Sequence, residues 1–262
     1  MLRVLRAALV FGGAAWSIHA SAQTMDASQA PAATTTWEAL TGVDYSVGSY
    51  GASSDTTVVS IPLNLRLQVD RVRFELTVPF LYVEGPGSTA GGGIVVPGGS
   101  VASRSGLGDV YGGVAWLINR GGQSGPSIEI QGTLKVPTAD TGLGTGKMDY
   151  LAQVNLYQPV SPRFMVFATA GYHRLGDYGS YTLEDGLVGL AGANFKPSDA
   201  TALGLTLAYH QEYLQDLGEQ LIVSPYASWN VTQHFRLTGY GLVGLTDASP
   251  SFGLGLRLGL YG

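Results

Sequence analysis

Apolar and polar residues alternate one by one through two adjacent stretches of this chain. Val59, Ile61, Leu63, Leu65, Leu67 and Val69 are apolar, while Ser60, Asn64, Arg66, Gln68 and Asp70 between them are polar. Val72, Phe74, Leu76, Val78, Phe80 and Tyr82 then alternate with Arg71, Arg73, Glu75 and Thr77. A period of two sends the two sets to opposite faces of a β-strand. Each run is as long as the roughly 9–11 residues of a tilted membrane-crossing strand, and longer than the about 5–6 residues usual in soluble sheets.

The same reading gives twelve strands, at 36–49, 56–69, 72–83, 108–118, 127–137, 150–158, 164–174, 186–195, 202–213, 221–231, 235–245 and 251–261. Gly189, Gly192, Gly239, Gly241 and Gly244 blur the faces of the eighth and eleventh. Tight connections at 70–71, 119–126, 158–163, 196–201 and 232–234 alternate with mostly longer ones at 50–55, 84–107, 138–149, 175–185, 214–220 and 246–250. An even strand count with sorted connections predicts an all-β fold: a single antiparallel transmembrane β-barrel with short turns and both termini in the periplasm.

Asp70-Arg71 reads as a two-residue hairpin that places Val69 opposite Val72. Arg66 then faces Glu75, and Gln68 faces Arg73. A lipid-facing arginine near the midplane costs roughly 2–4 kcal/mol, against about 0.2–1 kcal/mol gained from a cross-strand charge pair. This face is therefore expected to be the lumen. Trp37, Trp116 and Trp229, with Phe164 and Phe235, fall on outward positions at the periplasmic strand ends. Tyr45, Tyr82, Tyr172, Tyr209 and Phe252 fall outward at the opposite ends, giving two interfacial girdles.

Composition narrows the class. Hydrophobic residues make up 45% of the 262, charged ones 13%, and there is no cysteine. Arg3 and Arg6, the apolar stretch Ala7 to Trp16, and Ala20-Ser21-Ala22 read as a signal peptide over 1–22. Residues 23–36 read as a flexible lead-in and 37–262 as the barrel. An exported chain this apolar, with no window long enough for a spanning helix, satisfies its backbone in lipid only by closing a barrel. The net charge of −5 becomes −7 once Arg3 and Arg6 are removed, which argues against nucleic acid as a partner.

The chemical motifs mostly fail on their mechanics. Gly239 to Gly244 has dinucleotide-loop spacing but lies within a strand, and Gly142 to Lys147 lacks the spacing of a phosphate loop. His173 and His210 end the seventh and ninth strands on inward positions, with Glu212 near His210, and read as a solvated pore mouth. Metal needs three or four convergent ligands, so no metal and no cofactor is expected. No serine is placed beside a histidine and an acid, so no enzyme activity is expected. The inward positions include Asn64, Arg66, Gln68, Arg73, Glu75, Glu129, Lys135, Asn155, Tyr226, Arg236 and Arg257, with Gln131, Gln153, Thr206, Asn230 and Tyr240. They read either as the polar path of a solute or as salt bridges that fill a narrow barrel. In loop 84–107, the apolar run Ile94-Val95-Val96 among glycines could fold inward as a constriction or remain a mobile loop.

Ser105-Gly106-Leu107-Gly108-Asp109, following a long Gly-rich loop, resembles the SGLGD signature of the outer-membrane transporter-like family labelled MetA-pathway of phenol degradation. Lys135-Val136-Pro137-Thr138 adds to the likeness, as do chain length, signal peptide and repeated hairpins. The resemblance implies an outer-membrane barrel that passes small, often aromatic, compounds, and it brings no catalytic residues. One departure is the ending Tyr261-Gly262, where such barrels usually finish on an aromatic residue read by the assembly machinery. The expectation is passive passage of small organic solutes across a Gram-negative outer membrane. Lipid, lipopolysaccharide, the barrel assembly machinery and the solute are the expected partners. Two alternatives stand beside it: a plugged structural or surface-interaction barrel, and an outer-membrane lipid hydrolase.

Overall fold

The computed structural model describes residues 35–89, 94–96, 103–121, 125–179 and 181–262. The signal peptide and residues 23–34 of the lead-in lie outside the described residues. The strands are β1 (Thr35–Gly48), β2 (Thr56–Val69), β3 (Val72–Glu84), β4 (Ser88–Thr89), β5 (Val95–Val96), β6 (Arg104–Leu107), β7 (Val110–Asn119) and β8 (Ser127–Val136). They continue as β9 (Asp149–Ser161), β10 (Phe164–Arg174), β11 (Gly186–Phe195), β12 (Thr201–His210), β13 (Gln220–Asn230), β14 (Phe235–Gly244) and β15 (Phe252–Tyr261).

Thirteen segments form one sheet, in which β6 and β7 both pair with β3 and act as two halves of one stave, leaving twelve. The sheet closes on itself. β1 pairs with β15, and Trp37 and Gly262 exchange backbone hydrogen bonds of 2.9 and 3.1 Å. Every neighbouring pair is antiparallel, as sequential hairpins require.

The Asp70-Arg71 turn produces the register that its length demands. Val69 pairs with Val72, Gln68 with Arg73 and Arg66 with Glu75. Asp70 takes a left-handed φ of 51°, a conformation that aspartate tolerates better than most residues. Alternation then separates two media. Leu63 and Leu65 on the outer wall are 45% and 41% exposed, whereas Asn64 and Arg66 between them are 3% and 6% exposed. An apolar outer surface on a closed barrel is the outer-membrane solution to hydrogen bonding in lipid.

Trp37, Trp116, Trp229, Phe164 and Phe235 stand outward at the end carrying the short turns. Tyr45, Tyr82, Tyr172, Tyr209 and Phe252 stand at the end carrying the long loops.

The departures from the expected strands have local causes. The first strand begins at Thr35, taking two residues from the lead-in. The fourth stave begins at Arg104 and breaks at Gly108-Asp109, where the Gly108 N–H donates instead to Pro79 O at 2.8 Å. The ninth stave stops at His210, short of the expected Tyr213, which is fully buried beyond its end. Pro62 and Pro225, which lack a donor, fall where the β1–β2 and β13–β14 ladders skip residues.

Candidate functional site in the barrel lumen

Inward side chains build three levels between the short-turn end and the long-loop end. The first is a belt of charges on β1, β2, β3, β8 and β9. Arg66 bridges Glu38 at 2.9 Å and Glu75 at 3.3 Å. Arg73 reaches Glu75 at 2.7 Å and holds Glu129 bidentately at 2.6 and 2.8 Å. Asn155 extends the belt, donating to Glu129 at 2.9 Å and Gln131 at 3.1 Å, and accepting from Thr169 at 2.8 Å. Gln153 donates to Gln131 and Asn155, and Asn64 accepts from Thr77 at 2.9 Å. Gln68 lies at the rim, its amide donating to the Asp70 carbonyl. Arg236 sits two staves from β1, on β14, bonded to Asn230 Oδ1 at 2.6 Å, with its guanidinium 4.8 Å from the Tyr261 ring centre.

The second level is an apolar wall on β9 to β14. Tyr157, Met165, Phe167, Val188, Leu190, Ile222, Tyr226, Tyr240 and Leu242 form one buried cluster. It runs from Met165 near the short turns to Ile222 and Leu242 near the long loops. Three of its four rings fit because glycines face them. Phe167 pairs directly with Gly192, Tyr226 with Gly204 and Tyr240 with Gly255, and each ring occupies the space that a Cβ there would take. The rings therefore lie along the wall rather than across the lumen. Asp44, on the inward face of β1, accepts from both Tyr240 and Arg257. All three are buried, so Arg257 is compensated in place.

The third level closes the long-loop end. Lys135 on β8 binds Asp149 at 2.8 Å, Asp109 at 3.3 Å and Thr145 at 2.7 Å. Asp109 also accepts the backbone N–H groups of Thr138 and Ala139, at 3.1 and 3.0 Å. The two sequence signatures, Ser105–Asp109 and Lys135–Thr138, thus clasp each other. The break between β6 and β7 frees the Asp109 carboxylate to do so.

Over this level lies a strap. β4 and β5 pair through Ser88–Val96 and Thr89–Val95 inside the long connection. Ile94, Val95 and Val96 are at most 1% exposed. Val95 packs among Tyr50, Val58, Leu81, Val83 and Leu143, while Ile94 and Val96 pack with Leu175, Leu183 and Tyr213. Polar contacts pin the strap. Gly87 N donates to Thr56 Oγ1 at 2.9 Å, and Arg104 donates to the carbonyls of Gly85, Gly87 and Gly142. Tyr213 Oη donates to Val95 O at 3.0 Å. Burial raises the Tyr213 phenol far above its ordinary range, so it remains a donor at neutral pH. Burial likewise pushes the Tyr50 phenol up to about 12. Of the two sequence readings for this loop, Ile94–Val96 follow the inward one.

His173 and His210 meet beneath the strap, Nδ1 to Nε2 at 3.2 Å. Glu212 is directed elsewhere, accepting from the N–H groups of Leu217 and Gly218. Sequence reasoning missed Asp44 as the partner of Arg257, although its position in β1 already gave it inward parity. It also missed Met165 and Phe167, whose inward parity was readable but whose apolar character did not fit a polar lumen.

Residues 26–260 match the family model described as "Putative MetA-pathway of phenol degradation". No curated protein matches the sequence at a significant level. Among solved structures, the COG4313 outer membrane channel from Pseudomonas putida F1 is similar, with a TM-score of 0.64 at 17% identity, over 90% of this chain and 98% of that one. The KdgM porin gives a TM-score of 0.48 at 9% identity, over 86% and 97% of the two chains. The Pseudomonas putida toluene transporter TodX gives 0.42 at 9%, over 98% of each.

Proposed function

The chain belongs to this phenol-degradation family of bacterial outer-membrane β-barrels, and on that premise we propose that it is a passive channel for small, uncharged, largely apolar solutes, aromatic ones included. The apolar wall carries this reading. It runs nearly the length of the barrel interior, opposite charges that are already compensated by one another. Charged groups set ion selectivity in open pores by presenting a net field. Here Arg66, Arg73, Lys135 and Arg257 lie within ion-pair distance of carboxylates, and the aromatic faces remain as the surface that a solute would contact. The strap covers the mouth, so passage requires it to move aside.

The short turns and termini are assigned to the periplasm, with residues 1–22 as a cleaved leader and 23–36 as a lead-in. The long loops then meet lipopolysaccharide, and the assembly machinery inserts the barrel. No catalytic role is assigned: His173 and His210 face inward and hydrogen-bond each other rather than serving a lipid-facing nucleophile.

One observation favours a second reading. The interior is packed, with Arg257, Lys135 and Asn155 at most 2% exposed, as in a plugged structural barrel. Liposome swelling with phenol, glucose and an amino acid separates the two. Phenol passing faster than glucose supports the channel. No solute moving, in the native protein or with the strap contacts removed, supports the plug.

A further inference from the structure

The long-loop end carries two features that transport alone does not require: a hydrogen-bonded pair of buried histidines, and a tyrosine joining that pair to the strap. The His210 ring meets the Tyr213 ring edge-on, with centres 5.7 Å apart and an interplanar angle of 89°. Tyr213 in turn holds Val95 through its hydroxyl and packs against Ile94 and Val96. Gln220 on β13 contacts the same hydroxyl and anchors to Ala248 O at 2.7 Å. A displacement of His210 is therefore felt directly at the strap.

The proton arrangement of the pair follows from its partners. His210 Nδ1 lies against the Gln211 carbonyl, which only accepts, so that nitrogen carries the hydrogen. His210 Nε2 then holds a lone pair and accepts from His173 Nδ1–H. One added proton is tolerated, because one ring can still accept or change tautomer. A second leaves two donors aimed at each other and two like charges in one buried site. The surrounding charged groups are Lys135 from β8, held by Asp109 of the β6–β7 break and Asp149 of β9. Arg174 and Asp185 stand at the ends of β10 and its following loop, and Glu212 and Tyr213 come from the β12–β13 connection. The Lys135 ammonium is near enough to act on His173 and adds to the repulsion. The carboxylates of Asp109 and Asp149 are already engaged by Lys135.

We infer that His173 and His210 form an acid-sensitive catch for the strap: double protonation separates the rings, displaces Tyr213, and releases Ile94–Val96 from the mouth. This device is independent of which solute passes, and its test does not require transport.

Amide hydrogen exchange of Val95 and Val96, corrected for intrinsic rates, is measured on the full barrel in nanodiscs at pH 7.5 and 4.0. The expected result is at least a tenfold rise in local opening at the lower pH. In His173→Gln and His210→Gln that step should shrink severalfold or vanish, while exchange in the mid-barrel strands remains unchanged. Because carboxylates also surround the pair, the histidine variants assign the step. A flat response in the wild-type barrel overturns the inference. So does a step of equal size in both variants. If phenol flux is absent but the exchange step is present, the catch stands and the transport reading falls.

Discussion

The Tyr226 ring lies against Gly204, its direct partner across β12 and β13, in the space that a Cβ on that glycine would occupy. This contact keeps a large ring parallel to the wall of a narrow barrel. Gly204→Val should push the ring toward the lumen axis. Phenol flux into proteoliposomes should fall at least fivefold, while the barrel still folds, as judged by its heat-dependent mobility on a gel. Unchanged flux would place the solute path away from this wall.

Arg257 and Asp44 test how far the interior depends on charge compensation. Asp44→Ala leaves a buried guanidinium without its carboxylate, which costs roughly 3–5 kcal/mol. Replacing both, as Asp44→Leu with Arg257→Leu, should recover most of that loss, since buried ion pairs are often no better than apolar contacts. Urea unfolding in lipid vesicles measures both variants. A double variant as unstable as the single one would show that the pair shapes the barrel in its own right.

The two faces of β2 make opposite demands. Leu65→Arg puts a charge on the outer wall and should cost about 2–4 kcal/mol if the position lies near the bilayer midplane. The neighbouring Arg66 is already accommodated inside by Glu38 and Glu75. Unfolding free energies in bilayers should therefore rank Leu65→Arg well below the parent protein. Equal stability would mean that Leu65 is not in lipid.

Glu129 neutralises Arg73 through two hydrogen bonds. Glu129→Gln removes one negative charge from a compensated belt. Ion currents through barrels whose strap is loosened by Arg104→Ala should then shift toward chloride over potassium. Reversal potentials under a salt gradient give the answer, and no shift would place the ion path outside the belt.

Much of this architecture is legible in the residues. Strict alternation in 59–82 fixes the faces, and the two-residue turn at Asp70-Arg71 fixes the register down to Arg66 opposite Glu75. What remained hidden depends on contacts across the lumen. Periodicity says that Asp44 and Arg257 both point inward, but not that strands β1 and β15 close the barrel and bring them together. Glycines blurred the eighth and eleventh strands; Gly192 of the eighth is small because it lies beneath Phe167. The break at Gly108-Asp109 is invisible to alternation, since it goes with contacts between the Asp109 carboxylate and the backbone of Thr138 and Ala139 in the connection after β8. The strap was readable only as two possibilities, because its inward fold rests on Tyr50, Leu143, Leu183 and Tyr213, drawn from four separate loops.

The central claim is that solutes pass through the lumen when the strap leaves the mouth. The chain has no cysteine, so a single engineered disulfide can test it. A Cβ on Gly87 would lie 3.1 Å from Thr56 Cγ2, close enough for Thr56→Cys with Gly87→Cys to tie the strap to β2 once the Val95 side chain, which overlaps that Cβ, turns to another rotamer. Phenol flux into proteoliposomes should drop at least tenfold in the oxidised protein and return on reduction. Equal flux in the oxidised and reduced forms, with bond formation confirmed by gel mobility, would contradict the account.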